Sequence, residues 1–330
     1  MAVKALLDEA QRHRSHGCIR SGRVRLRRCG RPRWVFLTDS TGCVAPSRRV
    51  FVSLPRANPV GLRYQRVLVD NRVIRLSGPI LLFMLKAVQM HQSPLLRKLE
   101  AVETLSSSEV DCLQRMCVDV REISRRADIV SRGDDADYVH LMLEGWGARY
   151  FDLPDGSRQI TAFLIPGDFC DIHVTTLAAM DHGIIALTNC RVAFIGKSAI
   201  EEVTRSTPAL TRAFWRATLV DEAILRQWIV SLGRRDAKQR IAHMLCELHL
   251  RLRLVGLTDD GNMHLPLTQE DIADACGLTP VHVNRTVQGL RKQGLVDRGS
   301  DLHILNVQGL RRVAAFDPSY LHLKRADRAV

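Results

Sequence analysis

Residues 267–297 read LTQEDIADACGLTPVHVNRTVQGLRKQGLVD, and few folds accommodate that pattern. Thr268 is a good N-cap with Asp271 three residues on, an acidic variant of the capping box. Ile272, Ala273 and Cys276 give the short helix that follows a buried stripe. Gly277 stands where that helix should stop in the left-handed region, which glycine adopts without steric penalty. A second helix restarts at once, capped by Thr279, with Pro280 at the first helical position, where a missing N–H costs nothing. Val283, Val287 and Leu290 recur at helical spacing and face inward, which leaves Pro280, Val281, Asn284, Arg285 and Gln288 outward and His282 towards one flank. Two short helices, a tight glycine turn and a polar outer face predict a helix-turn-helix, whose second helix enters the major groove of DNA. The plainer alternative, a helical hairpin within a core, gives the outer face no reason for Asn and Arg.

Past the second helix, Leu295-Val296 and Leu302–Asn306 flank Arg298-Gly299-Ser300-Asp301 and predict a small hairpin, the wing of a winged helix. With that wing, the chain resembles the Crp/Fnr superfamily of bacterial transcription factors from about Ser93 to His322. The likeness is specific in the reading head, good in the sensor fold and poor in the sensor's ligand contacts. The fold class it implies is α+β: a cyclic-nucleotide-binding-like β-roll over residues 90–205, a dimerisation helix over 206–235 and a winged helix-turn-helix over 236–330.

The formal net charge of +13 looks like a nucleic-acid signature, but its location decides its meaning. Residues 1–89 hold 18 Lys/Arg against 4 Asp/Glu, and residues 90–330 hold 30 against 31. The basicity therefore belongs to the N-terminal quarter and says nothing about the helix-turn-helix. That quarter keeps no sustained period. It is expected to be a disordered basic extension, or sequence ahead of the protein's true start. Short strands around Trp34–Leu37 and Val50–Val52 are conceivable there, with no evident partner sheet. His13, His16 and Cys18 lack a second ligand pair at zinc-finger spacing. Nine cysteines without pairing-like spacing suit a reduced, cytoplasmic compartment. No stretch reaches the roughly 20 apolar residues of a membrane helix, and Pro79–Leu85 is too short and too far along to be a signal peptide.

Leu95 to Val118 reads as two short helices, with Ser106–Ser108 capping the second. From Glu122 short alternating strands follow, with Pro154-Asp155-Gly156 as turn chemistry and Gly145 and Gly147 for close backbone approach. Pro166-Gly167-Asp168-Phe169 is similar to the opening of the phosphate-binding cassette in cyclic-nucleotide sensors. The resemblance implies a Glu for the ribose and an Arg-Ser or Arg-Thr pair for the phosphate. Those positions fall on Ile172 and near His182-Gly183, and the base-facing helix offers Leu225-Arg226. A cyclic phosphate needs a fixed counter-charge, so Gly167, Asp168, Cys170, Asp171, Ile172, His182 and Gly183 describe a degenerate effector site. No metal or cofactor is expected from Cys170, Asp171, His173 and His182, nor a cluster from Cys112 and Cys117.

Ser206-Thr207-Pro208 opens a helix expected to run to Leu232 and end at Gly233. Phe214, Ile224 and Trp228 lie on a seam that Asp221 interrupts, beside a second stripe of Leu225, Ile229 and Leu232. Two stripes suit a helix packed on its own β-roll and on a twofold copy, with Phe214, Ile224 and Trp228 in the dimer interface. Asp236 caps the next helix, Ala237–Leu252, where His243, Cys246 and His249 are too splayed for zinc. Val307–Phe316 reads as a helix and Asp317–Leu323 as the start of a tail.

The chain carries no P-loop, GxSxG elbow, Rossmann glycine fingerprint or HExxH, so no enzyme is expected. The resemblance implies bases read from the positions of Pro280, Val281 and Arg285, with Asn284 beside them, and phosphates held by Thr268, Gln269 and His282. The partners implied are a palindromic duplex operator, a second copy of the chain and RNA polymerase. The rival reading is a redox or small-molecule sensor whose winged helix docks a protein.

Overall fold

The computed structural model describes residues 93–323 except 102, 173–175, 259–262, 264 and 299–301, and within 1–92 the backbone of five strands. His13, His16, Cys18, His173 and the tip of the wing lie outside the described residues.

The first unit, Met1–His91, pairs β1 (Gly22–Leu26) with β2 (Val35–Asp39), and orders β3 (Val50–Val52), β4 (Tyr64–Val69) and β5 (Arg72–Ser77) in one antiparallel sheet. The expectation that its strands lack a partner sheet is thereby corrected: Val35 faces Leu26 and Val50 faces Val69 in register. The partner strand β1 alternates arginine with apolar residues (GRVRL), a period that the high arginine content disguises.

The second unit, Gln92–Val330, opens with α1 (Pro94–Glu100) and α2 (Ser107–Met116). Ser106 caps α2 in a full capping box with Glu109, as the serine run predicts. Seven strands follow: β6 (Val120–Ile123), β7 (Asp128–Val130), β8 (Tyr138–Glu144), β9 (Gly147–Asp152), β10 (Arg158–Leu164), β11 (Gly183–Ala186) and β12 (Cys190–Gly196). They form two antiparallel sheets, ordered β10-β9-β11-β7 and β6-β12-β8, the expected β-roll. Phe163, Leu141, Met142, Ile160 and Leu187 are almost wholly buried, and each contributes about 1.5–3 kcal/mol of transfer free energy. Gly145 must be glycine, since its φ is +86° and a Cβ there would lie 2.5 Å from the Asn189 carbonyl oxygen.

After α3 (Lys197–Ser206) comes the long helix α4, Pro208–Arg234. It does not end at Gly233. The Arg240 guanidinium donates to the carbonyls of Ser231, Leu232 and Arg235 and closes the helix without a left-handed glycine. Its two apolar faces are opposite to the expected assignment. Phe214, Ile224 and Trp228 are buried within the chain, Phe214 against Phe169 and Trp228 against Phe163. Trp215, Leu219, Leu225, Ile229 and Val230 face out. Phe214 and Trp228 go inward because the β-roll offers them aromatic partners, Phe169 and Phe163.

That following helix, α5 (Ala237–Leu254), is capped by Asp236. From Ile241 to Leu250 it is buried on every face, the mark of a helix packed on all sides. The winged helix-turn-helix comprises α6 (Gln269–Cys276), α7 (Pro280–Lys292), β13 (Val296–Arg298), β14 (Leu302–Ile304) and α8 (Val307–Ala314). The strands sit slightly off the expected bounds because Asn306 leaves the sheet to cap α8. The helix stops at Ala314, since Ala315 turns left-handed. Beyond it, Leu321 and Leu323 are buried and the Tyr320 hydroxyl donates to Glu247, so this stretch is part of the core, not a tail.

Candidate nucleic-acid interface and effector cassette

The reading head forms as local rules dictate. The Thr268 hydroxyl accepts from the Asp271 N–H at 3.1 Å, and the Asp271 carboxylate accepts from the Thr268 N–H at 2.8 Å. Gly277 ends α6 at φ +59°, ψ +47°. Thr279 accepts from the His282 N–H and Pro280 opens α7. Ile272, Ala273, Cys276, Val283, Val287 and Leu290 are buried, which turns the other face of α7 to solvent.

On that face Pro280, Val281, His282 and Arg285 are exposed, with Val281 at 70%. Asn284 is half-buried: its amide donates to Gln269 at 3.4 Å and accepts from Gln288 at 2.8 Å. The Thr268 hydroxyl also donates to Asp271, so its hydrogen is already committed within the cap. The structure thus brings Gln269, Asn284 and Gln288 into one amide chain beside Arg285.

The cassette turns Asp168, Phe169 and Asp171 into the fold. Gly167, at φ +92°, abuts α1, where a Cβ would lie 2.7 Å from Pro94. Asp168 accepts from Lys98 and from Arg251 of α5, both at 2.6 Å. Burial alone would raise its carboxyl; the two cations outweigh that and hold it at about 2. Phe169 packs edge-on against Phe214, with ring centroids 5.2 Å apart. Asp171 is wholly buried and accepts from the His140 backbone N–H and pairs with its ring. Ile172 offers no polar group, and His182 pairs with Asp181. Gly183 faces the Tyr150 ring, which a Cβ would meet at 2.5 Å.

A buried guanidinium does lie behind the cassette, on Arg149 of β9. It donates to the carbonyls of Cys170 and Phe169 and to the Asp221 carboxylate, at 2.5, 3.3 and 2.8 Å. Burial opposes its charge and Asp221 restores it. Asp221, the residue that interrupts the apolar seam, was the sequence signal for such a cation. Trp228 and Phe163 fill the adjoining space. A cavity of about 40 Å³ between Asp168, Arg251 and Ile224 has room for a water, not for a nucleotide.

Burial pushes the Cys170 thiol well up and those of Cys246 and Cys276 to about 12, away from reactive thiolate. Burial, and Arg235 after it, lowers His243 to about 3. Among the described residues no group of three His, Cys, Asp or Glu side chains could hold a metal ion, and no helix is long and apolar enough to cross a membrane.

A β-roll joined by a long helix to an exposed winged helix-turn-helix defines a sensor-coupled DNA-binding regulator. Comparison with known proteins gives the class its name. The Crp-like helix-turn-helix domain family matches residues 239–313, and the cyclic nucleotide-binding domain family residues 120–207. The nitrogen fixation regulation protein FixK of Bradyrhizobium diazoefficiens is 32% identical over 170 residues, 51% of this chain and 70% of that protein. The transcriptional activator FnrL of Cereibacter sphaeroides is 28% identical over 180 residues, 54% and 72% of the two chains. The solved structure of FixK2 from Bradyrhizobium japonicum superposes with a TM-score of 0.54 at 28% identity, covering 60% of this chain and 98% of that one. The chain belongs to the Crp/Fnr family and is a sequence-specific DNA-binding transcription regulator. Regulators of this family bind DNA through the helix-turn-helix and act as dimers. The rival reading, a winged helix that docks a protein partner, finds no support in these relatives.

Proposed function

We propose that the protein is a cytoplasmic, non-enzymatic homodimer that reads a palindromic operator and responds to no cyclic nucleotide. The carrying observation is the exposed face of α7, where Arg285 stands beside Val281 while the opposite face is buried. Arg285 would take a guanine by paired hydrogen bonds, and Val281 would offer a thymine methyl only apolar contact. Asn284, held by Gln269 and Gln288, would read a base only by exchanging those partners. Pro280 limits polar readout at the first position. Gln269 and His282 would hold phosphates, and Thr268, whose N–H and hydroxyl are both engaged by Asp271, would take a phosphate only by exchanging that partner.

The outer face of α4, with Trp215, Leu219, Leu225 and Ile229 exposed, supports dimerisation there, in place of a seam at Phe214, Ile224 and Trp228. The inward-turned cassette supports a sensor without nucleotide chemistry. The working division is 90–205 for the sensor, 206–235 for the dimer helix and 236–330 for the reader, with residues 1–89 apart from the machine. Contact with RNA polymerase follows from the reading as a regulator. Genome-wide recovery of bound DNA fragments tests it: a shared palindrome with half-sites about one helical turn apart is expected, and fragments without a common motif would overturn it.

A further inference from the structure

One side chain of the β-roll reaches into the reading head. Arg126 lies in the turn between β6 and β7, and its guanidinium donates to both oxygens of Asp271, at 2.7 and 3.1 Å. It also approaches the Thr268 hydroxyl at 3.5 Å. Asp271 is buried and closes the capping box of α6, so Arg126 grips that helix by its N-terminal cap. Burial would raise the Asp271 carboxyl; Arg126 and the Thr268 donors hold it below its usual range. A second bond grips the last turn: Gln159 of β10 donates to the Asp274 carbonyl at 2.7 Å.

The backbone of Arg126 makes this side chain conspicuous. Its φ is +67°, in the left-handed region that favours glycine and disfavours a residue with a Cβ. Its N–H donates to the Ala186 carbonyl at 2.7 Å, which fixes the turn. A position suited to glycine instead bears the long side chain that bridges sensor and reader. The other side of the head is fixed independently, where Arg240 donates to the Cys276 carbonyl and to the end of α4. Helix α6 is thus held from both sides while the outer face of α7 stays in solvent, an arrangement that orients the reading helix without masking it.

We propose that Arg126 is a positioning residue that sets the half-site spacing the dimer accepts, by clamping α6 to the β-roll. The inference rests on the twofold reading of a palindrome proposed above. Two heads joined to rigid bodies act at one fixed separation, and the second head's effective concentration at its half-site depends on that rigidity. Loosening the clamp lets each head swing, which lowers affinity at the native spacing and broadens tolerance of others. An isolated half-site, bound by one head, does not sense the clamp.

The test is Arg126→Gly, which removes the guanidinium at a position whose backbone suits glycine. Fluorescence anisotropy at one salt concentration would compare the recovered operator, operators with half-sites moved by one and two base pairs, and a duplex carrying a single half-site. The wild type should prefer the native spacing. The variant should lose about tenfold on the native operator, bind the spacing variants more nearly alike, and match the wild type on the half-site. Wild-type affinity and spacing preference in the variant would overturn the proposal. So would equal loss on half-site and operator with a salt slope reduced by about one, which would mark Arg126 as a phosphate contact. A wild type that binds half-site and operator equally would refute the dimer reading and the clamp with it. Sedimentation of the wild-type protein separates that failure from the others.

Discussion

The carboxylate of Asp168, in the cassette of the sensor, accepts a hydrogen bond at 2.6 Å from the guanidinium of Arg251, on the first long helix of the reader. In a nucleotide sensor this turn frames a ligand; here it joins two parts of one chain. Arg251 also donates to the Phe163 carbonyl and to Glu247, which in turn accepts from Trp228 and Tyr320. The network runs unbroken from α1, through Lys98, to the C-terminal segment.

Removing one member should be severe. Arg251→Met leaves Asp168 with Lys98 alone and Glu247 without a cation, and breaking a buried pair from one side costs about 3–5 kcal/mol. Asp168→Leu with Arg251→Met should recover part of that loss, because no charge is then stranded at their contact. Urea denaturation measures both; a single variant as stable as the wild type would show the pair to be dispensable.

The same pair fixes an acid limb. Asp168 is held at about 2 against an ordinary value of 3.8, so its folded carboxyl is depressed. Its stabilisation is complete above the unfolded value and is lost as pH falls through the folded one. That difference is worth about 2 kcal/mol. Asp168→Asn should therefore flatten the stability profile between about pH 4 and pH 2. An unchanged slope in that window would mean other carboxylates govern it.

The two faces of α4 give opposite expectations. Ile229 is 61% exposed, and Ile229→Glu should leave the fold intact while sedimentation shows monomers. Trp228 is buried and its indole N–H donates to Glu247. Trp228→Ala should cost about 3–5 kcal/mol of fold stability. A monomeric, fully stable Trp228 variant would restore the seam to the inner face.

Cyclic AMP and cyclic GMP should give no heat of binding at micromolar concentration in calorimetry. Asp221 already neutralises Arg149, and Gly167 to Asp171 are engaged within the fold. Saturable binding that Asp221→Ala strengthens would mean that Arg149 can exchange its carboxylate for a phosphate.

What the chain disclosed in sequence was what is decided locally. Thr268 with Asp271, Gly277 at the turn and Thr279 with Pro280 each act over a few residues, so the helix-turn-helix was legible to the residue. The clamps were not. Arg126, Arg149 and Arg251 find their carboxylates 145, 72 and 83 residues away, and no local pattern encodes such distances. The faces of α4 stay ambiguous in sequence for a related reason: periodicity reveals two apolar stripes but not which one the rest of the chain will cover.

The central claim is that α7 reads sequence through Arg285. Anisotropy titrations of wild type and Arg285→Ala against the recovered operator and a scrambled duplex test it most directly. The loss on the operator should be roughly 1–3 kcal/mol and confined to one base pair per half-site. Affinity for the scrambled duplex should barely change. Equal losses on both duplexes would contradict the assignment, leaving Arg285 a contact to the backbone alone.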